Sequence, residues 1–183
     1  MADAYLTCED WDVAQKKVLA GNLLQARSPA SARRMERELR QRLIHLTPAQ
    51  IRLAAHGMTD ERTAIGWLAA MKGSRFIYAF ASDILRAKLA LLDPVVRASD
   101  YEAFILNQIA AHPDLASLTA SSRAKIRSVL FSMVREAGMG LPGRSELRVQ
   151  RPLVPPAVLN AIRSDSKLWL AGFLVPDSEL ATY

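Results

Sequence analysis

Apolar residues recur at three- and four-residue steps along most of this chain, which is the periodicity of amphipathic helices. One such helix is predicted to begin at Ser121. Its predicted buried stripe consists of Ile126, Val129, Leu130, Met133 and Val134. Gly138 and Gly140 end this helix, Pro142-Gly143 makes a turn, and residues 146–150 then alternate polar and apolar side chains as a strand does. A helix followed by a short β-hairpin is the outline of a winged helix.

The first part of the chain predicts three short helices with tight joints. Asp10 caps the first helix, which stops at Gly21. Ser28-Pro29 starts the second helix, which runs to about residue 46, and Thr47-Pro48 starts the third. The predicted buried stripe of the second helix consists of Met35, Leu39, Leu43 and Leu46. Helices joined in this way resemble a helix-turn-helix bundle.

The most apolar stretch, residues 59–93, is predicted to supply the central core, with a break at Gly73-Ser74 between two helices. The predicted core residues are Trp67, Leu68, Met71, Phe76, Ile77, Phe80, Ile84, Leu85 and Leu89. Further along, Ser99 and Glu102 have the spacing of a capping box and predict a helix through Ala111.

Together these elements predict a mainly α protein with two packed helical subdomains. Residues 1–94 form the N-terminal subdomain, a helix-turn-helix-like bundle whose Arg-rich helix covers residues 29–46. Residues 95–183 form a winged-helix-like subdomain with a short β-hairpin. An apolar C-terminal segment around Trp169 is predicted to dock back on the body of the protein.

Basic charge is concentrated in two segments of the 183-residue chain, whose net charge is +6. Residues 27–52 hold seven arginines against two glutamates, and residues 121–151 hold six arginines and one lysine against two glutamates. The rest of the chain is acidic, with 10 basic and 14 acidic residues. Because guanidinium groups form forked contacts with phosphate, these two segments favour a polyanionic partner.

Short hydroxyl side chains alternate with cations on the outer face of the 121–135 helix, which suits a close approach to phosphates. The predicted nucleic-acid-binding residues are Arg27, Arg33, Arg34, Arg37, Arg40, Ser121, Arg123, Lys125, Arg127, Ser128, Ser132, Arg135, Arg144, Arg148 and Arg151. Contacts are expected mainly to phosphates of double-stranded DNA, with weak sequence specificity, because only this helix face could reach base edges. The arginines of the 29–46 helix could instead form a solvated surface paired with Glu36 and Glu38.

Residues that carry catalysis or bind metal are not grouped in this sequence. The three histidines, His45, His56 and His112, lack the spacing of metal ligands, and Cys8 has no CxxC partner. The glycines of the 138–143 segment match the letters of a dinucleotide-binding fingerprint, but they follow a helix instead of a strand. We therefore expect no enzymatic activity, no cofactor and no metal.

A cytoplasmic location is also expected. A single cysteine fits a reducing compartment, and the acidic N-terminus lacks the basic start and apolar core of a signal peptide. The longest uncharged runs reach 11 residues, whereas a helix that crosses a bilayer needs about 20.

Three stretches share a pattern with a known family. They are NLLQARS at 22–28 with ARR at 32–34, SRAKIR at 122–127 with VLF at 129–131 and REAG at 135–138, and VQRPL at 149–153 followed by Pro155. These stretches resemble the BrxA family of the bacteriophage exclusion (BREX) defence systems, and the resemblance covers nearly the whole chain. The glycine-rich wing at residues 140–143 departs from the family pattern.

The resemblance implies a small, mostly helical, non-enzymatic component that acts beside a methyltransferase, an ATPase and a phosphatase-like protein. It also implies either DNA binding through a winged-helix-like domain or a likeness to the RNA-binding antitermination protein NusB. Three functions follow: binding of duplex DNA, binding of RNA, and adaptor contacts with other BREX proteins. The sequence leaves the oligomeric state open.

Overall fold

The computed structural model describes residues 1–110, 112–143 and 146–182 of the chain. Its α-helices are α1 (Ala2–Cys8), α2 (Trp11–Ala20), α3 (Pro29–Leu43), α4 (Pro48–His56), α5 (Thr59–Gly73), α6 (Arg75–Ala79), α7 (Arg86–Ala90), α8 (Ala98–Gln108), α9 (Ala120–Glu136), α10 (Pro156–Arg163) and α11 (Asp177–Leu180). A π-helical turn (Phe80–Leu85) joins α6 to α7, and 3₁₀ helices span Pro113–Ser117 and Lys167–Phe173. Two short strands, β1 (Val95–Val96) and β2 (Leu147–Arg148), pair antiparallel. The predicted mainly α class with a short β-hairpin is therefore confirmed.

The chain divides into two compact units. The first contains residues 1–73 and 155–165, and the second contains residues 74–154 and the residues from 166 onward. The chain thus leaves the first unit after α5, builds most of the second unit, returns to supply α10, and ends in the second unit. The predicted boundary after residue 94 falls inside the second unit, and a division into subdomains at that point stays a prediction.

Helix starts in the first unit use the predicted capping residues. The side chains of Asp10, Ser28 and Thr47 each accept a hydrogen bond from a backbone N–H in the first turn of α2, α3 and α4. Helix α1 has no side-chain cap, and the sequence does not predict it. It packs on α2, and the rings of Tyr5 and Trp11 stack with their centroids 3.9 Å apart.

The predicted buried stripe of α3 is only partly correct: Leu46, just beyond the helix, is buried and Leu43 is half-buried, but the other two residues are not. Met35 and Leu39 are 38% and 37% exposed, whereas Glu36 is only 1% exposed. The Glu36 carboxylate is accommodated because it accepts a hydrogen bond from the Gln15 amide at 2.8 Å and lies 3.1 Å from the Arg40 guanidinium. These contacts rotate the buried face of α3 away from the apolar stripe that hydrophobicity alone indicates.

A buried polar network attaches α10 to the rest of the first unit. The side chain of Gln50 is fully buried, and its amide group donates to the Ala161 carbonyl at 3.0 Å and to the Asp165 carboxylate at 3.3 Å. The amide oxygen of Gln50 accepts from Lys72 at 2.9 Å. Lys72 also lies 2.6 Å from Asp165. Because every group has a partner, this network can fix the position of α10 in the first unit.

Aromatic rings occupy the centre of the second unit. Phe80, in the π-helical turn, is fully buried, and its ring lies 5.3 Å from that of Phe104, 6.2 Å from Phe131 and 6.4 Å from Tyr101, centroid to centroid. The residues predicted to form one central core belong to both units. Trp67, Leu68 and Met71 are buried in the first unit, Phe80 and Leu85 are buried in the second, and Phe76, Ile77, Ile84 and Leu89 are half-buried.

Tyr101→Phe is expected to raise the free energy of unfolding at neutral pH by about 1 kcal/mol, because the buried Tyr101 hydroxyl has no hydrogen-bond partner in the described part of the chain. Burial also raises the pKa of Tyr101 to about 12. Folding therefore favours the neutral hydroxyl, and this contribution is complete below about pH 10 and lost as the pH rises through about 12. Urea unfolding of both proteins should show the wild type losing stability relative to the variant in this range. An unchanged difference at high pH would contradict the prediction.

After α9 the chain forms a ribbon, which comprises residues 139–143 and 146–150. Gly140 makes an antiparallel bridge with Val149, and β2 pairs on its other side with β1. From α7 onward the second unit therefore runs helix, strand, helix, helix and ribbon, with a 3₁₀ turn between α8 and α9, and the first strand and the ribbon form one small sheet.

Two predictions about helix details in the second unit are wrong. Helix α8 begins at Ala98, before the predicted cap, because the Asp100 carboxylate accepts from the backbone N–H of Arg97 at 2.7 Å. The helix ends at Gln108, and Ala111 lies outside the described residues. On α9, Val129 is 53% exposed instead of buried, although Leu130 and Val134 of the same predicted stripe are buried.

The C-terminal segment packs within the second unit. Its 3₁₀ helix (Lys167–Phe173) contacts the π-helical turn, and Leu170 and Phe173 are buried there. Tyr78 donates a hydrogen bond to the Leu168 carbonyl at 3.1 Å.

Candidate nucleic-acid interface

Helix α3 presents three exposed arginines to solvent: Arg33, Arg34 and Arg37. On its buried side, Glu36 attaches the helix to α2 by accepting from Gln15, so these arginines extend from a helix that packs on the body of the first unit. No carboxylate in the described part of the chain lies within ion-pair distance of them. Arg27, which precedes α3, is also exposed. These four cations form the first candidate surface.

Arg40 lies on α3 as well, but it contacts protein groups. Its guanidinium lies 3.1 Å from the Asp12 carboxylate and 3.1 Å from Glu36, and its side chain is 30% exposed. The predicted alternative of surface pairing with Glu36 and Glu38 therefore applies in part: Glu36 is a partner of Arg40 inside the protein, whereas Arg33 and Arg37 remain without one among the residues described.

Helix α9 carries the hydroxyl-rich face that the sequence predicts. Ser121, Lys125, Ser128 and Ser132 are exposed and follow one another at helical steps of three and four residues. Ser132 donates a hydrogen bond to the Glu136 carboxylate at 3.0 Å, so the last turn of this face also carries an acidic group. This face therefore carries one cation, Lys125, between serine hydroxyls that are short enough to approach a phosphate backbone closely.

Two arginines of α9 hold neighbouring segments in place. Arg123 donates to the Leu118 carbonyl at 2.9 Å and lies 3.2 Å from the Glu102 carboxylate on α8. Arg135 donates to the carbonyls of Leu141 and Glu146 at 3.3 and 2.9 Å, and so ties the ribbon to α9. Both arginines orient the candidate surface. Arg127 is half-buried on the same helix.

Arg148 is the exposed cation of the ribbon. It lies opposite Val95 in the β1–β2 pair, and Leu147 and Val149 on either side of it are buried, so the strand alternation directs Arg148 outward. Arg151, by contrast, donates from two nitrogens to the Glu179 carboxylate, which lowers the pKa of that carboxyl. The predicted site residue Arg144 lies outside the described residues.

An apolar groove runs beside the hydroxyl-rich face of α9, and the sequence does not predict it. Its volume is about 350 Å³. Its lining residues are Ser74, Phe76, Ile77, Lys125, Ile126, Val129, Leu130 and Met133. Helical periodicity assigns Val129 to the buried stripe of α9, so its 53% exposure beside the groove could not be read from the sequence.

Among the described residues, no group of three or more His, Cys, Asp or Glu side chains is placed to hold a metal ion. No helix in that part of the chain combines the length and apolar character needed to cross a bilayer.

Fold and surface together define a small, mainly helical protein with an arginine-bearing helix in one unit and a helix–ribbon surface with exposed cations in the other. A model of the BrxA family matches residues 1–166, and the chain is 30% identical over 149 residues to the BREX protein BrxA of Escherichia coli O9:H4 (strain HS), covering 81% of this chain and 70% of that protein. The chain belongs to the BrxA family. Its fold is similar to the crystal structure of an uncharacterized protein from Magnetospirillum magneticum, with a TM-score of 0.70 at 15% identity over 90% of this chain and 93% of that one.

Proposed function

We propose that this protein is a non-enzymatic, cytoplasmic accessory component of a BREX phage-defence system that binds double-stranded DNA mainly through phosphate contacts. The observation that carries the proposal is the set of exposed arginines on α3, which lack acidic partners among the described residues and extend from a helix fixed on its other side. A phosphate backbone supplies the charge that such cations lack within the protein. Membership of the BrxA family and the name of the Escherichia coli relative support the role in BREX.

The second unit would contribute a winged-helix-like DNA-binding surface. The order from α7 onward, helix, strand, helix, helix and ribbon with β1 paired to the ribbon, supports this assignment. In this arrangement α9 is the recognition helix, with Lys125 and the serine hydroxyls directed at DNA. Arg148 on the ribbon acts as the wing contact. Specificity would be weak because short hydroxyls discriminate poorly between base edges.

A salt titration of binding to labelled duplex DNA tests the proposal, with single-stranded DNA and duplex RNA of the same length beside it. Six of the predicted site residues are exposed cations without acidic partners among the described residues: Arg27, Arg33, Arg34, Arg37, Lys125 and Arg148. If all six contact phosphate, log affinity should fall against log salt with a slope of about −5.

Two results would contradict the proposal. Absence of duplex DNA binding at low salt would remove DNA as the ligand. Tighter binding to duplex RNA than to duplex DNA at every salt concentration would favour the NusB-like alternative.

A further inference from the structure

The groove beside α9 has walls from two helices of the second unit. Phe76 and Ile77 on α6 form one wall, and Ile126, Val129 and Met133 on α9 form the other. Val129 is 53% exposed at the rim, so its side chain lies open to water although it faces an apolar concavity. Covering this residue and the groove would remove apolar area from water, which favours an apolar occupant.

The groove lining carries a positive charge and no negative one. Lys125 is the charged residue among those that line it, and no carboxylate is present in that lining. Arg75, whose neighbours Ser74 and Phe76 both line the groove, is exposed and has no ion-pair partner in the described part of the chain. An occupant that combines apolar side chains with carboxylates would therefore satisfy both the groove and its rim.

We propose that this groove is a docking site for an acidic amphipathic helix of a partner protein. Apolar residues of the partner, spaced at i, i+3 or i+4 and i+7, would enter between α6 and α9, as in other helix-in-groove contacts. Carboxylates on the flank of the partner helix would meet Lys125 and Arg75. The volume of about 350 Å³ lies in the range of sites that take small ligands or a few side chains. The proposal does not depend on DNA binding by α3.

The probe is a synthetic fluorescent peptide of about 16 residues with leucines on one helical face and glutamates on the other. A second peptide carries lysine in place of every glutamate. Fluorescence anisotropy with the full chain should give a dissociation constant on the order of 10–100 µM for the glutamate peptide and weaker binding for the lysine peptide. Val129→Asp should lower the affinity for the glutamate peptide at least tenfold. Lys125→Glu should also lower the affinity for the glutamate peptide, and it should raise the affinity for the lysine peptide.

Leu106→Asp is the matched control. Leu106 is 68% exposed on α8 in the same unit and does not line the groove, so its replacement should leave peptide binding unchanged. Thermal unfolding of each variant by circular dichroism separates a binding defect from a folding defect.

Three outcomes would overturn the proposal: no binding of the glutamate peptide at about 1 mM, equal binding to Val129→Asp, or a preference of the wild type for the lysine peptide. A single-stranded oligonucleotide that binds the wild type and is lost with Val129→Asp, while the peptide does not bind, would assign the groove to nucleic acid instead.

Discussion

Replacing Arg33, Arg34 and Arg37 together by alanine is expected to lower the affinity for duplex DNA by about 10² to 10³-fold at ~0.1 M salt. Each cation that neutralises a phosphate contributes about 0.9 to the dependence of log affinity on log salt, so the slope should become shallower by about 3. The fold should be retained, because all three side chains are exposed and the helix is held by Glu36 on its other side. Anisotropy titrations at several salt concentrations measure both quantities.

The matched control removes three exposed cations of the same unit outside α3: Lys16, Lys17 and Arg62. This variant has the same net charge as the α3 variant, so it tests whether the position of the charge matters. Equal losses in the two variants would show that only net charge attracts DNA, and the assignment of α3 as an interface would then be wrong.

The second large effect concerns stability. Gln50→Leu is expected to lower the free energy of unfolding by roughly 3 kcal/mol. The leucine side chain cannot donate to the Ala161 carbonyl or accept from Lys72, so the buried carbonyl loses this donor and the Lys72 ammonium loses one of its acceptors. Urea unfolding measures the change.

Gln41→Leu is the control for this experiment, since Gln41 is an exposed glutamine in the same unit and its replacement should change stability by less than about 0.5 kcal/mol. A Gln50→Leu protein as stable as the wild type would mean that the network around α10 contributes no net stability.

Local signals predicted much of the fold. Capping residues such as Asp10, Ser28 and Thr47 act within one turn of chain, so the helix starts that they mark are correct. The inner face of α3 could not be predicted in the same way, because it depends on Gln15, which lies 21 residues away from Glu36. Hydrophobicity assigns a glutamate to the surface, and only a distant partner makes its burial favourable.

The candidate site shows the same limit. Sequence spacing correctly placed Ser121, Lys125 and Ser128 on one exposed face of α9, since helical periodicity alone determines it. Sequence spacing could not distinguish an arginine that is available to a ligand from one that is paired with a carboxylate of the protein. Arg151 meets Glu179, which lies 28 residues further along the chain. Charge counts alone therefore overstate the number of arginines available to a polyanion.

The return of the chain to supply α10 has a consequence for synthesis on the ribosome. Residues 1–73 are translated before residues 74–154, but Gln50 and Lys72 meet Ala161 and Asp165 only after that whole intervening segment has been made. The nascent first unit therefore lacks α10 while residues 74–154 of the second unit are translated. It cannot finish folding before the second unit is made, as an N-terminal domain usually does. Residues 155–165 complete the first unit and residues 166–182 belong to the second, so a prematurely terminated chain that ends after the ribbon leaves neither unit whole. Such truncated products should be recognised by chaperones and proteases as incomplete.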